Sequence, residues 1–189
     1  MIEQVYPRKF PQRQATLPGA ANGWGGKLTR TIASPWDGVI RAFGIEGLVS
    51  LAQRADCVIE LVPQVGDSIA AGDPLFRVLG DGAGLSADTL WQSVAVGAER
   101  TLEQDPAFAF RILVDIASKG LSPGINDPTT AVLAIDQIHH LLRNVGGRRL
   151  DDERMRDTEG RLRLVYRTSD WKDIVYLAVT ECPPLRWPK

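Results

Sequence analysis

A chain of 189 residues with 22 basic against 23 acidic side chains and a net charge of -1 offers no electrostatic footprint for nucleic acid or an anionic membrane surface. It can bury a core in one ordinary domain or two small ones, and its two cysteines, Cys57 and Cys182, match neither a metal-binding spacing nor a redox pair. No apolar run approaches the roughly 20 residues that span a bilayer, and the opening MIEQVYPRKFPQRQ lacks the apolar centre of a signal peptide.

Residues 1–30, rich in Pro, Gly, Gln and Arg, read as an extended arm or linker. From 31 to 82 the pattern is a β module of short strands and turns, TIASP, GVIRAF, CVIELV, DSIA and PLFRVLG, interrupted by one helix in IEGLVSLAQRA. Residues 83–147 read as helical. LSADTLWQSVAVGAERTLEQ opens on Ser86 as N-cap, and DPAFAFRILVDIASKGL follows with Asp105 as cap and Pro106 at the first helical position. In that second helix Phe108, Ile112 and Ile116, with Leu113 and Ala117 beside them, form the expected apolar stripe, and Arg111 and Asp115 form an ion pair on the other face. A third helix runs from about Pro128 to Asn144 with Ala131, Ile135, Ile138 and Leu142 inward. From 148 to 189 the expectation is a charged, solvated connector in RRLDDERMRDTEGRLR, then an alternating strand in GRLRLVYRT, then a helix capped by Ser169 or Asp170. The class is α+β: a small β module, a helical bundle region and a terminal strand and helix.

Two stretches carry candidate chemistry. VGDSIAAGDPLFRV has the Gly-Asp turns of two tight, oppositely directed hairpins and resembles half of a biotinyl/lipoyl-like barrel-sandwich domain. No lysine lies between Lys27 and Lys119 to carry a biotin or lipoate, and no cofactor is expected. SPGINDPTTA sits between two helices. Asp127 before Pro128 is a helix cap, yet Ser122, Asn126, Asp127, Thr129 and Thr130 also place hydrogen-bonding groups beside unsatisfied helix N–H donors, an arrangement that can hold a small polar ligand, an ion or a partner surface. DQIHH offers Asp136, His139 and His140, but adjacent histidines diverge by about 100° on a helix and a third ligand is lacking, so no metal is expected.

The stretches VGDSIAAGDPL, ERTLEQDPAFAFRILVDIASKGLSPGINDPTTAV and GRLRLVYRTSDWKDIVYLA resemble, over roughly residues 31–180, an uncharacterised family of predicted bacterial membrane proteins, domain of unknown function 2254. Arg100, Gln104, Asp105, Arg111, Asp115, Ser122, Pro123, Asn126, Asp127, Pro128 and Thr130 fit its pattern. The resemblance implies an inner-membrane location for the intact product, with transmembrane segments ahead of this region. Their absence here, and CPPLRWPK in place of a helical continuation, lead us to expect a soluble fragment.

The expected function is therefore a non-catalytic extramembrane domain acting in oligomerisation, or in gating through ligand sensing. Its partners would be further copies of itself, its own transmembrane segments and a small polar ligand or ion, with no nucleic acid. Arg100, Gln104, Asp105, Arg111 and Asp115 would support the loop, the four charged ones as a buried ion-pair network. The alternative is a soluble, metal-assisted hydrolase using Asp127 or Asp136 with His139.

Overall fold

The structure, a computed structural model, describes residues 27–102, 104–148, 150 and 153–180. Most of the expected N-terminal arm, Cys182 and the closing CPPLRWPK lie outside the described residues. The described residues fall into two units, each discontinuous in sequence. A sheet unit takes residues 27–102 and 153–168, and a helical unit takes 104–148, 150 and 169–180.

The sheet unit contains β1 (Leu28–Ala33), β2 (Gly38–Phe43), α1 (Ile45–Arg54), β3 (Cys57–Leu61), β4 (Ser68–Ile69), β5 (Pro74–Gly80), α2 (Ala87–Trp91), β6 (Val94–Gly97), β7 (Glu153–Arg156) and β8 (Leu162–Tyr166). Five strands form a mixed sheet in the order β1-β5-β3-β8-β7, in which only β3 and β8 run parallel. The other three form an antiparallel sheet in the order β4-β2-β6. Alternation decides the faces: Cys57, Ile59 and Leu61 of β3 point into the core, where they join Ile40, Leu48, Leu75, Phe76 and Leu164. Helix α1 buries Leu48 and Ala52 in the same core, and Phe43 meets Tyr166 edge to face at 4.9 Å.

Both Gly-Asp turns form as the sequence requires, with Gly66 at φ +93° and Gly72 at φ +96°. Each aspartate staples its own turn: Asp67 Oδ2 accepts from Gln64 N at 3.0 Å and Asp73 Oδ2 from Ala70 N at 2.9 Å. The flanking strands do not pair as two hairpins, however. β4 joins β2, whereas β5 inserts between β1 and β3 in the larger sheet.

Two further expectations are corrected. The long helix read from Ser86 stops at Trp91, and Val94–Gly97 becomes a strand because β-branched Val94 and Val96 register against Phe43 and Ile40 of β2. The charged connector contains a strand, β7, paired with β8 around the turn Asp157–Gly160. A pair of opposite charges, Asp157 and Arg163, is buried there, which mixed composition concealed.

The helical unit contains α3 (Pro106–Gly120), α4 (Pro128–Gly146) and α5 (Trp171–Val175), the last running into a π-helical turn, Tyr176–Thr180. Asp105 caps α3 as expected, its Oδ1 accepting from Phe108 N at 3.0 Å with Pro106 at the first helical position. Asp170 and Asp173 cap α5 reciprocally. The apolar face of α3 differs from the expected stripe. Ala117 is buried as read, but Phe110 and Val114 are the buried large residues, while Phe108 and Ile112 are half-buried and Ile116 is exposed. α4 buries Ala131, Ala134, Ile138 and Val145, so Ala131 and Ile138 lie inward as read while Ile135 and Leu142 sit at the margin. Ile174, Leu150 and Ala178 complete this second core.

Candidate functional site

The SPGINDPTTA loop closes through a chain of local hydrogen bonds. α3 ends where Leu121 N donates to Ala117 O, and Ser122 returns both its N–H and its hydroxyl to Lys119 O, at 3.1 and 2.7 Å. Ile125 N and Asn126 N then donate to Ser122 O, and Asp127 N crosses back to Gly120 O at 2.8 Å. Asn126 takes φ +48°, a left-handed conformation that asparagine tolerates better than most side chains. The crossing is tight because residue 120 is glycine: a Cβ there would lie 2.9 Å from Asp127 O and 3.1 Å from Ala131 Cβ.

Asp127 starts α4 as the sequence requires. Its Oδ1 accepts from Thr130 N at 3.1 Å and its Oδ2 from the Thr130 hydroxyl at 2.6 Å. The hydroxyl bond, with the Thr130 backbone N–H behind it, holds the Asp127 carboxyl below the usual carboxylate range. Both of its oxygens are engaged in starting the helix, so it is an ionised acceptor with little left for proton transfer. The Asn126 amide and the Thr129 hydroxyl are the exposed polar groups that remain. Ile125 in the loop is 61% exposed, and Val132 and Leu133 in the first turns of α4 are 54% and 61% exposed.

The supporting residues occupy different environments. Asp105 is buried as the cap of α3, and Gln104 beside it is half-buried. Arg111 and Asp115 are exposed on α3, and Arg100, also exposed, falls in the sheet unit. Asp105 is thus the buried charge of the set, while the polar face of an amphipathic helix keeps Arg111 and Asp115 in water. Asp136, His139 and His140 are exposed on α4, and among the described residues no group of three or more His, Cys, Asp or Glu could hold a metal ion.

A buried charge cluster in the sheet unit escaped sequence reasoning. The side chain of Arg163 is 6% exposed, and its Nε donates to Asp157 Oδ2 at 2.7 Å while Nη1 donates to Asp56 Oδ1 at 2.9 Å. The side chain of Asp157 is 1% exposed and also accepts from the backbone N–H groups of Glu159 and Arg161. The Arg163 hydrogen bond holds the Asp157 carboxyl below its usual range, and Asp157 in turn raises the guanidinium above its own. Cys57 next to this cluster has its thiol pushed up by burial, which leaves it unreactive. The signal was present: strict alternation puts Arg163 on the face opposite Leu162 and Leu164, and a sheet with both faces covered buries it. The arrangement locks the β7–β8 hairpin to β3, with every charge compensated, and leaves no acid or base for chemistry.

A shallow cleft of about 330 Å³ on the sheet unit is lined by Val62, Pro63, Asp67, Asp73 and Arg167, among others. Its charged groups are committed too: the two aspartates staple their turns and Arg167 Nη2 donates to Val62 O at 3.1 Å.

The described residues thus define a mixed α+β protein in which the conspicuous carboxylates serve caps and turns, and no described helix is long and apolar enough to cross a membrane. Residues 6–183 match the family of predicted membrane proteins DUF2254, and the chain belongs to that family. An uncharacterized protein of Mycobacterium tuberculosis and one of Mycobacterium bovis are each 30% identical to it over 169 residues, covering 86% of this chain and 32% of the relative. The chain therefore spans about a third of the length of the curated relatives it matches. No solved structure matches it.

Proposed function

We propose that this chain is an extramembrane domain of a bacterial inner-membrane protein, and that it acts by assembly, with oligomerisation through the helical unit, and not by catalysis. The observation that carries the reading is the surface around the candidate loop. Ile125, Val132 and Leu133 are each more than half exposed at a helix start whose polar groups are largely spent on its own hydrogen bonds. A cluster of exposed apolar side chains marks a contact site more often than it serves a monomer, and these three, close together in sequence, support one here. Asn126 and Thr129 leave room for a small polar ligand that biases the assembly, which is the gating form of the same reading. The transmembrane segments expected in the intact product would be its covalent partners.

For the sheet unit we propose, as the finer description, a biotinyl/lipoyl-like barrel-sandwich module. What supports it is that β4 and β5, consecutive across the turn Ala70–Asp73, enter different sheets; no closed barrel forms among the described residues. Sedimentation equilibrium of the 189-residue chain tests the assembly reading, and melting curves with phosphate, sulfate and acetate test the ligand reading. Reversible self-association supports assembly. A chain that stays monomeric at every concentration and melts at the same temperature with each anion refutes both forms.

A further inference from the structure

The cleft on the sheet unit holds opposite charges that do not neutralise each other. It opens where the chain passes from one sheet to the other: β4 joins β2, the turn Ala70–Asp73 follows, and β5 enters the larger sheet. Val62, Pro63 and Ile69 give the cleft apolar lining, and Asp67, Asp73 and Arg167 give it charge. The aspartates follow Gly66 and Gly72, so the repeated Gly-Asp turns on either side of β4 deliver both carboxylates to one concavity. Each charged group is held by one atom only. Asp67 and Asp73 give Oδ2 to their turns, and Arg167 gives Nη2 to Val62 O, reaching from the end of β8 to the end of its parallel neighbour β3. Oδ1 of each aspartate, and Nε and Nη1 of Arg167, are left to bond elsewhere. Among the described residues no ion pair joins Arg167 to either aspartate. An asparagine would staple either turn equally well, so turn chemistry does not account for the two negative charges.

We propose that this cleft binds a small zwitterion, its ammonium group donating to Asp67 and Asp73 and its carboxylate or phosphate accepting from Arg167. An ammonium carries three N–H donors and can serve both carboxylates at once, while a guanidinium offers either oxyanion a fork. The arrangement discriminates by repulsion as well as attraction. A lone anion would face two carboxylates and a lone cation would face the guanidinium, so a molecule that carries both charges fits the set best. The volume of about 330 Å³ lies at the small end of ligand sites, which suits a molecule of amino-acid size. The backbone bonds that anchor all three side chains hold them ready, and that lowers the entropy lost on binding. The site lies wholly in the sheet unit and does not depend on the assembly reading.

The test is titration of the isotope-labelled 189-residue chain at constant ionic strength, followed through its amide NMR shifts, with γ-aminobutyrate and with phosphoethanolamine. The two probes separate a free amino acid from an ethanolamine phosphate headgroup. The cleft is shallow, so the expected Kd is about millimolar, and a titration to about 50 mM covers it. At least one probe should give saturable shifts at Val62, Asp67, Ile69 and Asp73. Ethylammonium and acetate, each carrying one of the two charges, should bind about fivefold more weakly or worse. Arg167→Gln, and Asp67→Asn combined with Asp73→Asn, should each raise Kd by about fivefold or more. Asparagine keeps an acceptor for each turn, and far-UV circular dichroism confirms that the fold is retained. No saturable shift at the cleft with either probe overturns the proposal. So does binding that survives both sets of substitutions, and so do half-probes that bind as tightly as the whole. Should a variant fail to fold, the half-probe comparison on the unmodified chain decides alone.

Discussion

Replacing Gly120 by alanine puts a methyl group where α3 passes closest to the start of α4. The added carbon would lie 2.9 Å from the backbone oxygen of Asp127 and 3.1 Å from both the Cβ and the backbone nitrogen of Ala131. Carbon atoms in contact settle at about 3.5–4.0 Å, so the first turn of α4 must retreat by several tenths of an ångström. These neighbours are backbone atoms and a Cβ, and no rotamer change relieves them. Overpacking of this kind costs about 1–3 kcal/mol. Alanine returns up to about 1 kcal/mol through its better helix propensity. The expected net loss is about 1–2 kcal/mol, or roughly 2–8 °C in Tm for a chain of this size. Thermal unfolding followed by far-UV circular dichroism measures it, with Gly124→Ala as the matched control. Nothing lies within 4 Å of a Cβ at Gly124, so that substitution should be neutral or stabilise by up to about 1 kcal/mol. A Gly120→Ala protein as stable as the original would refute the close crossing, and with it the hydrogen bond from Asp127 N to Gly120 O that shapes the candidate loop.

Two further outcomes concern the carboxylates. Arg163→Met should lower Tm far more than Arg161→Met, because it leaves the buried Asp157 without its guanidinium while Arg161 is 62% exposed. The folded-state carboxyls of Asp157 and Asp127 sit below their unfolded values, so their stabilisation is complete above the ordinary carboxylate pKa of about 3.9 and is lost as pH falls through the folded values. Unfolding midpoints should accordingly be flat from neutral pH to about 5 and decline below about 4, less steeply in Asp157→Asn; an unchanged acid slope in that variant would remove Asp157 from the account. Thr130→Val removes the hydroxyl bond to Asp127 and should move that carboxyl's titration upward, as read by NMR; no movement would mean the bond does not set it.

Much of the fold was written in local chemistry that needs no distant partner. Asp105–Pro106 and Asp127–Pro128 start helices because cap and proline act on adjacent backbone, and the Gly-Asp turns declare themselves through glycine's positive φ. What was misread depends on pairing across long separations. Val94–Gly97 is compatible with a helix until β2, about fifty residues earlier, offers it an edge. β7 and its turn looked like solvated charge, although β8 was legible as a strand, because composition cannot show that Arg163 meets Asp157 and Asp56.

The rotation of α3 has a different cause. Phe108, Ile112 and Ile116 form as good an apolar stripe as Phe110 and Val114, with Ala117 at the edge of both, and periodicity alone cannot say which one a neighbour will cover. α4 poses the converse problem. Its inward face was legible from Ala131 and Ile138, but the exposure of Val132 and Leu133 on its outer side was not, because hydropathy alone cannot say which side of a helix a neighbour covers. The polar residues of the loop that drew notice mostly complete a helix cap, which leaves the exposed Ile125, Val132 and Leu133 as the feature of this surface that capping does not account for.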